Sequence, residues 1–372
     1  MSERVAQITT VHRAEDVRIH GRIAATLAEA GFDSVVVAPG ETWSADGVSV
    51  IGLGEAQSRI GRLRLIWRAF WIIHRESFDI VQLHDPELLI LAPLLKLQRR
   101  VRVIYDVHDD LSETLRERRW LPRLVRRPLA TCAGLLERVL ARTVDCVTAA
   151  TPRIARRFEG AVVVQNFPDV ATHVPRHPTP DVAEPLRLIY VGEMNPRRGA
   201  RELAAAVSLA SANQPVQLDV FGDVKPGALR RELRAVAGDT LRFHGWIAPS
   251  KVAWHMRQAD VGLVTFHPGP NHDHSQPRKL FEYMANGLAV VASDLPRWRE
   301  IVDGAECGLL VDPLSPTSIA EALLELAEDR DRLRRLGERG HDAALTQYSW
   351  ATQRPILLSV YANLLDPRSR RD

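Results

Sequence analysis

The sequence predicts a two-domain α/β protein built on two open, mostly parallel sheets in tandem, and three observations predict it. The chain has 372 residues, long for one core and fitting for two domains of roughly 150 to 200 residues each. Short β-rich runs alternate with longer helical ones, the rhythm of parallel strands joined by crossover helices. That rhythm breaks at a proline-rich stretch and then starts again.

In chain order, RVAQITT (4–10) is the first strand and Val17 to Ala30 the helix behind it. DSVVVAP, VSVIGL, DIVQLH, RVIYDVH, DCVTAA and AVVVQN read as further strands, with helices over Arg59 to His74 and Glu87 to Gln98. NFPDVATHVPRHPTPDVAEP (166–185) carries five prolines and no apolar period, which marks a linker. Beyond it LRLIYVG, VQLDVFG, TLRFHG, DVGLVTF and Leu288 to Ala292 are strands, alternating with helices at Arg201 to Ala212, Ala228 to Ala237, Lys251 to Gln258 and a short one ending at Gly287. Pro316 to Leu365 is almost all helix. The expected division is 1–165, a linker at 166–185, 186–349, and a C-terminal helix and tail at 350–372 that returns to the N-terminal domain.

Composition narrows the function classes. A net charge of +3 with 26% charged residues carries no nucleic-acid signature. Cys132, Cys146 and Cys307 are far apart with no CxxC spacing, so neither a disulfide framework nor a zinc site is expected, and a reducing, cytoplasmic setting fits. The first residues lack the apolar core of a signal peptide. LLILAPLL (88–95) is too short to span a bilayer and LRLIWRAFWII (63–73) is broken by Arg68.

Ligands of open α/β sheets bind at the carboxyl ends of the strands, so a cleft between the two domains is expected. In VGEMNPRRG (191–199), Gly192 and Gly199 allow close backbone approach, a helix follows, and Arg197 and Arg198 add positive charge. That suits a phosphate or diphosphate; it also suits a plain turn with two solvated arginines. In HSQPRKLFEYMANG (274–287), Ser275 reads as an N-cap and Pro277 as an early helical position, leaving free N–H groups beside Lys279. Glu282 is a charge at the edge of a core that something must hold, and by spacing it could pair with Arg278 and Lys279 along the helix surface.

VGEMNPRRG followed by KLFEYMANGLAVVASDLPRWREIVDGAECGLLVDP, with LHDPELL (83–89), YDVHDDL (105–111) and TVHRAEDVRIHGRIAATLAEAG (10–31), resembles the family-four retaining glycosyltransferases, in particular a bacterial branch that builds cell-surface polysaccharides. The resemblance implies the GT-B fold, two Rossmann-like domains facing a cleft, and transfer of a sugar from a nucleoside-diphosphate sugar to a glycan or lipid-linked acceptor. It places Glu282 on the ribose hydroxyls and Arg198, where the family usually has lysine, on the diphosphate. Gly192, Arg197, Lys279 and Leu280 complete the donor side. It places His108 at the sugar, against the alternative of a structural histidine bonded beside Asp109 and Asp110. His84, Asp85 and Glu87 at the end of the preceding strand would line the same floor, Asp109 stands on the acceptor or sugar side, and Asp16 and Arg18 would contact acceptor or donor phosphate. Catalytic roles fall on His108, Arg198 and Lys279.

Two departures stand out. Glu193 occupies the position after the loop glycine where the family often has arginine, so Arg197 or Lys279 must supply that charge. His274 stands eight residues before Glu282, where the paired-acid pattern has glutamate. The resemblance implies front-face transfer, in which the leaving diphosphate oxygen helps deprotonate the acceptor hydroxyl and no protein nucleophile is used. With no DxD-type metal motif on a suitable loop the site is expected to need no metal and no cofactor; His267, His272, Asp273 and His274 in HPGPNHDHS are the rival metal set.

Two segments are basic and aromatic. RIGRLRLIWRAFWIIHR (59–75) reads either as an interfacial helix on an anionic membrane or, the favoured reading, as a helix whose Leu63, Ile66, Trp67, Phe70, Trp71 and Ile73 form a core face. LRERRWLPRLVRR (115–127) is read as either surface helix or contact with an anionic inner leaflet, making the protein peripheral on the membrane. The competing functions are a GT-B epimerase or hydrolase and a non-catalytic nucleotide-sugar-binding scaffold.

Overall fold

The computed structural model describes residues 2–55, 58–97, 101–117, 122–170, 184–270 and 272–366. The chain divides into two compact units, Met1–Asn166 with Gln353–Asp372, and Phe167–Thr352. Most of the proline-rich stretch, 171–183, and part of the second basic segment, 118–121, lie outside the described residues.

The first unit holds one sheet of β1 (Arg4–Ile8), β2 (Asp33–Ala38), β3 (Trp43–Ala45), β4 (Val48–Gly52), β5 (Ile80–Leu83), β6 (Arg102–Val107), β7 (Cys146–Ala149) and β8 (Val162–Val163). Their order is β3-β4-β2-β1-β5-β6-β7-β8. All pairs are parallel except β3 with β4. The inner strands read as continuous apolar runs because helices cover both faces of a parallel sheet. The β3–β4 hairpin turns on Asp46 and Gly47, both with positive φ (55° and 75°). Asp-Gly is a favoured pair for such a turn, a signal the strand-by-strand reading passed over.

The helix behind β1 starts later and wider than its periodicity predicts. Asp16 Oδ1 accepts from the N–H groups of Arg18 and Ile19, and the chain runs as a π-helix over Ile19–Ala24 before tightening to an α-helix at Ala25–Glu29. The stretch expected as one helix from Glu87 is a 3-10 segment, Pro86–Leu91, followed by an α-helix at Ala92–Leu97; Gln98 lies outside the described residues. Helices at Leu111–Glu117 and Arg123–Ala141 follow β6. The last helix, Trp350–Leu365, packs from Gln353 onward on this unit. Its Tyr361 is fully buried and Gln353 accepts from the Gln165 N–H at 2.9 Å.

The second unit holds β9 (Leu186–Val191), β10 (Val216–Phe221), β11 (Leu241–Gly245), β12 (Val261–Val264), β13 (Ala289–Ser293) and β14 (Gly308–Val311), in the order β11-β10-β9-β12-β13-β14. All its pairs are parallel. Strand order reverses between β9 and β12 here and between β1 and β5 in the first unit. Such a switch point opens a crevice at the carboxyl ends of the two strands. The crevice loops are what the two cores hold in place: one cluster packs β9 to β11 against the helices Ala200–Ser211 and Pro316–Glu328, another wraps the helix Arg278–Ala285 with Trp298 at its centre.

Candidate active site

At the β9–β12 switch point the strand ends in Gly192, whose φ of 106° only glycine adopts without strain. Glu193 to Asn195 follow, then a 3-10 turn over Pro196–Arg198 capped by the Asn195 side chain, and Gly199 leads into the helix Ala200–Ser211. Gly199 is required twice over: its φ is 72°, and a Cβ there would lie 2.0 Å from the Thr265 carbonyl oxygen. The turn brings Arg198 back over its own loop, where Nη1 donates to the Glu193 carbonyl at 2.8 Å and the guanidinium lies 5.3 Å from the centre of the Phe266 ring.

Lys279 reaches the same place from the helix Arg278–Ala285. Its residue is 8% exposed. Its Nζ sits 3.6 Å from the centre of the Tyr190 ring and has no hydrogen-bond partner. Burial, with Arg198 close by, holds its pKa well below the ordinary lysine value. A Cβ on Gly192 would touch both cations, at 3.8 Å from Lys279 Nζ and 4.0 Å from Arg198 Nη1. The two therefore flank bare backbone at the strand end. A cavity of about 380 Å³ opens there, lined by Gly192, Arg198, His272, Arg278, Lys279 and Glu282 among others. Glu282 Oε1 accepts from Arg278 Nη2 at 2.6 Å, so the surface pairing foreseen as one alternative is formed, on the wall of the cavity itself.

Several details differ from the sequence expectation. Ser275 does not cap the helix: its hydroxyl donates to the His272 carbonyl at 3.0 Å, and the helix begins only after Pro277. Leu280 is fully buried in the apolar cluster around Phe281 and Trp298, so its side chain is spent on the core. Arg197 turns toward the next loop, its carbonyl accepting from the His267 N–H, and is not among the cavity's lining residues. The Glu193 carboxylate faces Lys225, 3.0 Å away, and Asn195, so this acid is neutralised outside the cavity. His274 is exposed on the loop. The rival metal set does not assemble, because His272 Nδ1 bonds the His267 carbonyl, Asp273 accepts from the Gly269 N–H and His267 faces Glu202. Among the described residues the group close enough to share an ion is His84, Asp106 and His108.

That group lies at the carboxyl ends of β5 and β6, beside the other switch point. Asp106 is fully buried and accepts from Arg18 Nε at 2.9 Å and Nη2 at 2.7 Å. Against the cost of burial, Arg18 beside it holds its pKa well below the usual carboxylate range. Arg18, only 2% exposed, thus spends Nε and Nη2 on the interior, while its Nη1 is left without a hydrogen-bond partner. Asp85 is spent as well, taking the Thr10 N–H at 2.5 Å and the Thr9 hydroxyl at 3.0 Å. Asp16 caps its own turn and stands 3.7 Å from His12.

His108 is the member that meets the surface, with its side chain 17% exposed. Its Nε2 lies 3.2 Å from Asp106 Oδ2 and 3.1 Å from His84 Nδ1. Its bonds thus run to Asp106 and His84 and not to Asp110, which pairs with Arg157, or to the exposed Asp109. Burial pushes its pKa down to about 3, so the ring is neutral at pH 7. The sequence reading missed Asp106, although a charge inside the apolar run RVIYDV is a group that must find a partner.

Residues 17–175 match the family described as glycosyl transferase 4-like domain, and residues 185–329 that described as glycosyl transferases group 1. The chain is a glycosyltransferase carrying these two domains. Among similar proteins, phosphatidyl-myo-inositol mannosyltransferase of Mycolicibacterium smegmatis is 28% identical over 310 residues, 78% of this chain and 72% of that one. Lipopolysaccharide core biosynthesis glycosyltransferase LpsE of Rhizobium meliloti is 24% identical and covers 96% of this chain and 98% of its own. Sucrose-phosphate synthase from Thermosynechococcus elongatus superposes with a TM-score of 0.77 at 18% identity, over 97% of this chain and 99% of that one. Anabaena HepE, solved with UDP-glucose, gives 0.72 at 17% over 97% and 99%. The fold of this glycosyltransferase is therefore GT-B, as the resemblance implies.

The glycosyltransferase also displays apolar surface. In the helix Arg59–Glu76, Leu65, Ile66, Ala69 and Ile73 face the core, while Leu63, Trp67 and Trp71 are more than half exposed beside Arg62, Arg64 and Arg75. This corrects the expectation that all six large apolar residues pack inward: the buried stripe is narrower than the apolar one. The helix Arg123–Ala141 exposes Leu124, Leu129, Leu135, Leu136 and Val139. Among the described residues no helix is long and apolar enough to cross a membrane.

Proposed function

We propose that this glycosyltransferase moves a sugar, with retention of configuration, from a nucleoside-diphosphate sugar to a glycan or lipid-linked acceptor in cell-surface glycan synthesis. The observation that carries the donor half is the partnerless ammonium of Lys279, buried beside Arg198 over the exposed backbone of Gly192. A buried cation without a partner is costly unless an anion completes it. A diphosphate supplies that anion, and its charge grows as the sugar leaves, so both cations bind the transition state more tightly than the ground state. Glu282, released from Arg278, has the two acceptor oxygens that ribose hydroxyls require.

The diphosphate oxygen freed on the same face takes the acceptor proton, so no side chain is needed as nucleophile. His108, neutral, orients the sugar. Arg198 and Lys279 do the charge work that a metal would otherwise do, and activity is expected to survive chelation. The names of the similar mannosyltransferase and lipopolysaccharide enzyme support a lipid-linked acceptor. So do Trp67, Trp71 and the arginines around them, a composition suited to an anionic membrane surface.

The test is release of nucleoside diphosphate from a panel of UDP-, GDP- and ADP-sugars with a membrane extract as acceptor, with and without EDTA. Turnover with one donor, unaffected by EDTA, is expected. Tight donor binding without turnover for any sugar would make the protein a scaffold. Flotation with vesicles containing and lacking anionic lipid reads the membrane half, and indifference to lipid removes it.

A further inference from the structure

A run of buried side chains joins His108 to the last helix of the chain, and its hydrogen bonds can be directed one by one. Asp106 is ionised and paired with Arg18, and a carboxylate only accepts. The Thr148 hydroxyl, 2.7 Å from Asp106 Oδ1, therefore donates to it. Thr148 is then the acceptor for Gln82 Nε2 at 3.5 Å, which turns Gln82 Oε1 to the Tyr361 hydroxyl. Having given its one proton to Gln82, Tyr361 accepts from Gln7 Nε2 at 2.8 Å. Gln7 Oε1 is left to accept from His84 Nε2 at 2.9 Å.

In the tautomer that carries its proton on Nε2, His84 has a lone pair on Nδ1. Asp106 Oδ2, 3.2 Å away, has no proton to offer it, and His108 Nε2, at 3.1 Å, does. The same His108 N–H reaches Asp106 Oδ2 at 3.2 Å. Two acceptors thus converge on His108 Nε2. The nitrogen left for a ligand is Nδ1, and it is an acceptor.

We infer that Tyr361 is a positioning residue for His108: through Gln7 and His84 it holds the ring in its Nε2–H tautomer, so that His108 meets a ligand hydroxyl as hydrogen-bond acceptor through Nδ1. That the hydroxyl belongs to the transferred sugar rests on the function proposed above; the tautomer does not. Which ring nitrogen carries the proton is set by the bond the other one makes, and here that bond is traced to a residue 253 positions away in sequence (361 − 108). Fully buried Tyr361 could have been phenylalanine if it only anchored its helix. Its hydroxyl instead sits between two glutamines that would otherwise be free to turn over.

The test is nitrogen NMR of the full chain labelled with 15N-histidine, with His84→Asn and His108→Asn used for assignment. Wild type is expected to show His108 protonated on Nε2 and unprotonated on Nδ1. Tyr361→Phe removes one oxygen and is expected to give a mixture of His108 tautomers. It is also expected to lower sugar-transfer kcat/KM about tenfold, the usual scale for losing an outer hydrogen bond that orients a histidine. Affinity for the nucleoside diphosphate alone, which carries no sugar, is expected to stay unchanged. Should Tyr361→Phe fold poorly by thermal melting, Thr148→Val breaks the chain at its longest link and is expected to act in the same direction more weakly. A wild-type His108 protonated on Nδ1, or an unaltered tautomer in the folded variants, overturns the inference. An altered tautomer with full activity overturns the sugar contact and leaves the positioning role standing.

Discussion

At the carboxyl ends of β5 and β6 the buried polar groups complete one another: Asp106 takes Arg18 and Thr148, His84 takes Gln7, and His108 takes both. At the carboxyl end of β9 the most deeply buried cation, Lys279, completes nothing and waits over the Tyr190 ring. Both places are switch points of parallel sheets, yet one is closed before any ligand arrives except at Arg18 Nη1, and the other is completed by the ligand. A finished network contributes direction, since its members cannot turn. An unfinished one contributes affinity, because the ligand relieves a cost the folded protein already bears.

The largest expected effect breaks the finished side. Asp106→Asn leaves Arg18 charged, buried and without a counter-ion, and removal of one partner of a buried pair typically costs about 3–5 kcal/mol. Urea unfolding is expected to show a loss of that size in stability. A loss under about 1 kcal/mol, the scale of an exposed pair, would mean the network is not the closed unit described.

On the unfinished side the same kind of change has the opposite sign for stability. Lys279→Met keeps the length and removes the charge, and stability is expected to hold or rise, since an unpartnered buried ammonium disappears. Affinity for the nucleoside diphosphate is expected to fall about a hundredfold, the loss of one charge-assisted contact of about 2–3 kcal/mol. Calorimetric titration and melting of one sample read both numbers. A variant that loses stability and keeps affinity would place Lys279 with Asp106, as structure and not as site.

Glu282→Ala stands between the two. Its carboxylate already has a partner in Arg278, so ligand binding exchanges one bond for others, and the net loss in donor affinity is expected to be about tenfold, not a hundredfold. The unsugared phosphate analogue pyrophosphate, which lacks ribose, is expected to bind this variant as it binds wild type. Weakened pyrophosphate binding would assign Glu282 to the phosphates.

The contrast also explains what could be read from the sequence. The donor-side cations and Glu282 lie on two short stretches whose glycines and helix start announce a ligand, and the structure brings Gly192, Arg198, Lys279 and Glu282 to one cavity. Position within those stretches was legible less well, because Pro277 and the His272 loop claim Ser275 before the helix can. The network around Asp106 was legible only at His108, His84 and Arg18, the last of these expected at a phosphate or acceptor. Gln7, Asp106, Thr148 and Tyr361 are far apart in sequence and each sits inside an ordinary strand or helix pattern, so nothing local marks them as partners. Trp67 and Trp71 failed for a related reason: helical periodicity shows that a face is apolar but not that its covering layer stops short of it.

The smallest expected effect is a proton. Burial keeps Lys279 below the ordinary lysine pKa in the free protein, and a diphosphate beside it favours the charged form, so binding raises that pKa. Between the two values the complex holds more protons than its parts, and affinity therefore falls as pH rises through that window. For folding the sign is the reverse of a stabilising pair: the unfolded lysine binds its proton more readily than the folded one, so stability climbs with pH until the unfolded value near 10.4 is passed. The terminal phosphate of a nucleoside diphosphate, with a pKa near 6, is already ionised at about pH 8 and adds nothing there. Titration at intervals from that pH up to about 10, in two buffers of different ionisation enthalpy, is expected to show proton uptake within that range in wild type and none in Lys279→Met. Equal uptake by both would move the proton to another group, and no uptake in wild type would mean that Lys279 is already charged before the anion arrives.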